Sequence, residues 1–251
     1  MEAVKVVTGT AVPLDRSDVD TDQIIPSDWL KRVERTGFGQ GLFSEWRDDP
    51  GFVLNRPQFG EAEILVAEGN FHGRSITIVG FSSELQYRDG FGPFTPGFRE
   101  VPYGDAEALA GAIGPHTAAF LVEPIQGEGG IVVPPPGYLA ACARICRERN
   151  VLLICDEIQT GMGRTGKFLA SEHENVRPDG VILGKALGGG LLPVSALVGT
   201  DDLMQVFAPG DHGSTFGGNP LAAAVGLAAL EVLFDEGMIA RSVVQFGKQT
   251  T

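Results

Sequence analysis

An apolar run that stops at a carboxylate buries a strand and leaves one charge at its tip. Residues 151–168, VLLICDEIQTGMGRTGKF, do this at Asp156, with Glu157 beside it and a glycine-spaced loop behind. A second run, GVILGK at 180–185, ends in Lys185. Three chemistries suit an acid placed this way. Nucleotide hydrolysis is one, because GMGRTGKF spells G-x-x-x-x-G-K. That match fails at Phe168, which stands where a Ser or Thr hydroxyl must hold magnesium, and the loop follows the acidic strand instead of preceding a helix. A metal site is the second, from Asp156, Glu157 and one of His72, His116, His173 or His212, but no histidine lies at ligand spacing from another ligand.

The third is a charged organic cofactor. Ligands of open α/β sheets sit beyond the C-terminal ends of strands. An amine and a carboxylate presented from two such ends suit pyridoxal phosphate: the lysine forms a Schiff base with the aldehyde and the acid pairs with the protonated pyridine nitrogen. From spacing alone, an ion pair at the sheet rim accounts for Asp156 and Lys185 equally well.

The elements that must position these groups follow a rhythm. AEILVA (62–67), ITIVGF (76–81), AAFLVEP (118–124), VLLICD (151–156), GVILGK (180–185) and PVSALVG (193–199) read as strands. GDAEALAGAI (104–113) reads as a helix capped by Asp105, PPPGYLAACARICRERN as a helix entered through prolines and ended near Asn150, and NPLAAAVGLAALEVLFDEG (219–237) as a long helix. Continuous apolar strands alternating with helices predict an α/β domain with a mainly parallel sheet.

Bulk composition narrows the function classes. The chain has 251 residues, 43% of them hydrophobic, enough for a buried core. Its formal charge of −13 argues against nucleic acid or an anionic membrane as partner. No apolar run reaches spanning length and the N-terminus lacks a signal-peptide pattern, so a cytoplasmic protein is expected. The three cysteines have no zinc spacing; Cys142 and Cys146 share a helix face with Leu139 and read as small buried hydrophobes.

The blocks EGNFHGRSITIVGFSS, GFGPFTPGFREVPYGD, AAFLVEPIQGEGGIVVPPPGYL, VLLICDEIQTGMGRTGKFLA, RPDGVILGKALGGGLLPVSALVG and HGSTFGGNPLAAAVGLAALEVL resemble, in order, those of the class III aminotransferases, and among them the ornithine-converting branch. The resemblance implies a three-layer large domain of the pyridoxal-phosphate transferase fold type I over residues 67–242, and a homodimer. It implies transfer of the δ-amino group of ornithine to 2-oxoglutarate, giving glutamate semialdehyde and glutamate. By resemblance Lys185 is the Schiff-base lysine, Asp156 the partner of the pyridine nitrogen, and Gln159 a neighbour of the phenolic oxygen. Phe71 is the ring-stacking aromatic, Ser214 and Thr215 reach the cofactor phosphate, Arg74 clamps the substrate carboxylate, and Glu123 and Glu128 are active-site carboxylates. Read without the motifs, Phe71 is ordinary core, Arg74 a surface ion pair, and Ser214 and Thr215 turn caps. His72, an isolated histidine, reads as structural.

The likeness is partial. The family's N-terminal phosphate-binding glycine turn and its C-terminal small domain are not seen in this sequence, which predicts weak cofactor binding and little activity. Residues 1–66 instead resemble the small subunit of 3-isopropylmalate dehydratase, of leucine biosynthesis, through DVDTDQIIP and LKRVERTGF, with Arg32, Arg35 and Thr36 in the implied substrate loop. The alternatives are therefore a dehydratase-type subunit docking on a large iron–sulfur partner, or an inactive fusion product, with 243–251 an unassigned tail.

Overall fold

In the computed structural model of the chain, residues 62–92, 94–207 and 213–247 are described. The dehydratase-like blocks lie outside them. A six-stranded sheet has the order β2-β1-β3-β4-β5-β6. Its strands are β1 (Glu63–Ala67), β2 (Phe98–Val101), β3 (Thr117–Val122), β4 (Leu152–Asp156), β5 (Gly180–Leu183) and β6 (Ala196–Gly199). All neighbours pair in parallel except β5 and β6, so every C-terminal end from β1 to β5 opens on one rim.

Strand alternation sorts the side chains into two cores. Leu65, Ala67, Phe120, Val122, Leu153 and Cys155 face α3 (Ala106–Ala112) and α4 (Tyr138–Arg149). Val66 and Leu121 face the other way, with Ile64, Ile154 and Ile182 packed around them. Helices thus cover the first face of the sheet, while Ile78 and Phe81 lie against the second. Cys142 and Cys146 sit in the first core as free thiols, their ionisation pushed up to about 12 by burial.

The predicted caps hold. Asp105 accepts from the Ala108 amide at 2.9 Å, and Asn150 ends α4 in the left-handed conformation at φ 56°. One element differs in type. ITIVGF is not a strand: Ile76–Gly80 forms α1, a single turn followed by α2 (Leu85–Arg88). A short β-branched run has no periodicity to separate helix from strand. The helix turns Ile78 onto Phe81 and Phe98 in the second core, and the outer place in the sheet goes to FREV as β2.

Beyond β6 come α5 (Asp201–Met204), α6 (Pro220–Asp235) and α7 (Met238–Gly247). Asn219 caps α6 through the Ala222 amide at 2.8 Å, with Pro220 at its first position. Among the described residues, no helix is long and apolar enough to cross a membrane.

Candidate cofactor site

Two strand ends set the site. Asp156 is the last residue of β4, and its register partner Ile182 on β5 precedes Lys185 by three residues. Lys185 opens a 3₁₀ turn (Lys185–Gly188) with φ 45°, in the left-handed region that a residue with a Cβ rarely occupies. Such a conformation persists only where its surroundings impose it, at about 1–3 kcal/mol, and points to a functional constraint. Its side chain is 46% exposed, and Nζ lies 3.8 Å from Glu128 Oε1. The same Glu128 oxygen accepts from Gln159 Nε2 at 3.0 Å. Gln159 fits beside the strand-end loop because residue 127 is glycine: a Cβ there would stand 3.0 Å from Gln159 Cγ.

Asp156 is 4% exposed and takes no part in a lysine pair. Its Oδ2 lies 2.7 Å from His72 Nδ1, and its Oδ1 accepts from the Ile158 amide at 3.1 Å. Glu123, just past β3, is 3% exposed; its carboxylate accepts from the amides of Phe71 (3.0 Å) and Gly127 (3.3 Å). Burial pushes the Glu123 carboxyl above the usual carboxylate range, against the pull of the Phe71 amide. Two buried acids from neighbouring strands therefore staple consecutive residues of the loop after β1, one by its backbone and one by its imidazole. The Glu128 loop closes on this same segment, since a Cβ at Gly129 would sit 2.7 Å from the Gly69 carbonyl.

The remaining candidates divide among clefts. Lys185 and Ser214 line an opening of about 670 Å³ together with Gly217, Gly218 and Asn219. Ser214 Oγ accepts from the Gly217 amide at 3.0 Å, a local turn bond, and Thr215 is exposed. Phe71 and Glu128 line a second cleft of about 260 Å³ with Tyr87. Glu128 thus borders one cleft while reaching the lysine of the other. Arg74 is exposed, its guanidinium 4.5 Å from the Tyr87 ring centre and 5.8 Å from that of Phe71. Among the described residues, no group of three or more His, Cys, Asp or Glu is placed to hold a metal ion.

The family model for class-III aminotransferases matches residues 42–248. The chain belongs to the class III aminotransferases. It is 60% identical over 183 residues to an ornithine aminotransferase of Brevibacillus brevis, and 58% identical over 189 residues to that of Bordetella pertussis. The first alignment covers 73% of this chain and 46% of that relative; the second, 75% and 46%. The chain spans about half the length of the curated relatives it matches. Among solved structures, the ornithine aminotransferase of Toxoplasma gondii superposes with a TM-score of 0.71 at 52% identity, over 72% of this chain and 43% of that one. A transaminase from the marine bacterium Virgibacillus superposes at 0.67 with 28% identity, over 73% and 45%. The class III match begins within the segment that resembles the dehydratase subunit, and runs into the tail beyond residue 242.

Class III enzymes work with pyridoxal phosphate, and the donor set suits it. A half-exposed amine stands on a strained backbone, a buried carboxylate at the next strand end suits a cationic ring nitrogen, and the loop holding Phe71 is fixed by two acids. Sequence reasoning set His72 down as structural and passed over Tyr87. His72 carried one cue, its place between Phe71 and Gly73 in the loop after β1; Tyr87 carried none beyond being aromatic.

Proposed function

We propose that the chain carries the large-domain half of a pyridoxal-phosphate-dependent aminotransferase that moves the δ-amino group of ornithine to 2-oxoglutarate, yielding glutamate semialdehyde and glutamate. The observation that carries this reading is Lys185, held at positive φ two residues past β5 and one strand from the buried carboxylate of Asp156. The preference for ornithine rests on the 60% and 58% identities to ornithine aminotransferases.

Lys185 would hold the cofactor, with Asp156 at its ring nitrogen, Phe71 against its ring, Gln159 toward its phenolic oxygen, and Ser214 and Thr215 toward its phosphate. When bound, the cofactor supplies an electron sink for the charge left at the substrate carbon when a proton is removed. The chain's own residues do the rest. The Lys185 amine takes and returns that proton as general base and acid, a role for which its half-exposed position leaves it free to move. The buried carboxylate of Asp156 would hold a cation at the sheet rim from a position shielded from water, where electrostatic stabilisation is strongest. Arg74 offers a planar two-pronged donor to a substrate carboxylate, and the Tyr87 face limits its orientations. Glu128, within reach of both Lys185 and Gln159, would offer its carboxylate to the cationic amine of a diamino acid. Glu123 acts through the backbone it binds, as a positioning residue for Phe71. A homodimer working in the cytoplasm completes the reading. Nothing among the described residues favours the dehydratase alternative.

The test is direct. The purified chain is mixed with pyridoxal phosphate, reduced with borohydride and digested. A pyridoxyl group on the peptide containing Lys185, lost in Lys185→Ala, is the expected result; a folded chain without label on that peptide overturns the proposal.

A further inference from the structure

We infer that the chain carries a second ligand site, at the end of the sheet opposite Lys185, and that it takes an acidic α-amino acid. A cleft of about 190 Å³ opens where α4 ends, β4 begins and the chain enters β5. Arg147 lines it from the last turn of α4 and Asn150 from the helix cap, while Arg177 and Asp179 come from the segment before β5. Because β4 and β5 run parallel, this cleft and Lys185 lie at opposite ends of the same two strands. The charges lining the cleft are not used up within the fold. Among the described residues, neither guanidinium makes an ion pair or a hydrogen bond, and the Asn150 carboxamide has no partner. The negative end of α4 favours a cation at Arg147. It does not account for Arg177, which belongs to another segment and meets the same cleft.

The acid of the cleft is Asp179, and the strand beside it holds it still. Its Oδ2 accepts from the Leu153 amide at 2.8 Å, its own amide donates to the Leu153 carbonyl at 2.9 Å, and its carbonyl accepts from the Thr200 amide at 2.9 Å. Among the described residues, no donor meets Oδ1. Two guanidinium forks each match one carboxylate, and the free oxygen matches one ammonium. An amino acid with a second carboxylate supplies that set. Its single net negative charge at neutral pH also meets the single net positive charge of the two arginines and Asp179. A simple dicarboxylate leaves Asp179 unanswered, and a neutral amino acid leaves one guanidinium unanswered. Bound here, the ligand ties the end of α4 to the start of the strand that presents Asp156 at its far end.

The test reads the cleft itself. The full chain, labelled with ¹⁵N and without added cofactor, is titrated with L-glutamate while the assigned signals of the Leu153 amide and the Asn150 side-chain amide are followed. Both groups belong to this cleft and stand away from Lys185. Their signals should move saturably at millimolar glutamate. Arg147→Gln and Arg177→Gln, at exposed positions, should each weaken binding about tenfold or more, the scale of one lost charge-assisted hydrogen bond, with the urea midpoint unchanged. Succinate, which keeps both carboxylates and lacks the amine, should bind about tenfold more weakly by the same measure. No saturable movement of either signal with glutamate overturns the site. Affinity that both arginine variants retain in full overturns it as well, and succinate or sulfate binding as tightly as glutamate overturns the assignment to an amino acid. Borohydride labelling at Lys185 is read on a different peptide, so failure of this site and failure of the proposed function are distinguishable.

Discussion

The two sides of the sheet's C-terminal rim are built differently. At the ends of β3 and β4 three acids are sunk in the fold: Glu123 is 3%, Asp156 4% and Glu157 0% exposed. Each is occupied by backbone amides or a neighbouring side chain. From β5 onward the picture reverses. Lys185 is half exposed, and α6 and its approach present Phe216, Leu221, Leu227 and Phe234 at 80%, 65%, 59% and 56% exposure. The closed side fixes charge and ring position, while the open side carries the group that must move. A site that needs both a rigid electrostatic reference and a mobile amine gains by splitting them across one strand boundary.

The largest effects should come from breaking the closed side. Glu157 accepts from Thr160 Oγ1 and from the amides of Ala170 and Ser171, so it clamps the loop 160–171 onto the end of β4. Glu157→Ala strands buried donors and should cost about 3–5 kcal/mol. Leu153→Ala, at a residue 2% exposed, should cost about 2–5 kcal/mol. Leu227→Ala on the open side should stay within about 0.5 kcal/mol. Urea unfolding of the three variants checks the contrast, and comparable losses at Leu153 and Leu227 would erase it.

Acidity probes the same divide. The Glu123 carboxyl is raised by burial above its ordinary value of 4.5. The native state therefore holds this proton more tightly than the unfolded chain. Relative to Glu123→Gln, the wild-type chain should lose stability as pH rises from about 4.5 through the raised native value, then level off. Urea midpoints for both chains across that window give the slope, and a gap independent of pH would show that burial at Glu123 is not felt.

Lys185 offers a smaller effect of opposite sign to its chemical importance. Its left-handed backbone should make Lys185→Gly more stable than Lys185→Ala by about 1–2 kcal/mol. Both variants should lose the borohydride label. Equal stabilities would mean that the backbone relaxes without strain on the open side.

Much of this divide is legible in the amino-acid sequence. Long apolar runs with sharp stops mark β1, β3, β4 and β5, a proline entry marks α4, and Asp105, Asn150 and Asn219 behave as their positions at helix ends demand. What stays hidden depends on contacts between distant residues. ITIVGF carries no period to separate helix from strand, and FREV gains its place only because β1 needs an outer neighbour. Glu123 and Glu128 lie five residues apart in EPIQGE and look alike on paper. One is swallowed by backbone amides and the other stands beside the lysine, a difference that loop closure at Gly127 and Gly129 creates. His72 can be ranked only by its isolation in sequence, which says nothing about an acid 84 residues away.

The finest test compares two caps of the same kind on opposite sides. Asp105 Oδ1 holds the Ala108 amide of α3, and Asn219 Oδ1 holds the Ala222 amide of α6. Each replacement by alanine removes about 1 kcal/mol of local stability. The consequence should differ because the helices are tied down differently. Leu109 of α3 is fully buried against the sheet, so α3 cannot open without the core, and Asp105→Ala should appear in the global unfolding midpoint. In α6 only Ala222 and Gly226 are buried, so its turns can open while the sheet stays folded. Asn219→Ala should therefore leave the midpoint nearly unchanged and speed amide exchange in the first turns of α6, next to the cleft that Asn219 shares with Lys185. Hydrogen exchange resolved by peptide separates the outcomes. Slowed or unchanged exchange in 220–226, with a lowered global midpoint, would place α6 on the closed side of the divide.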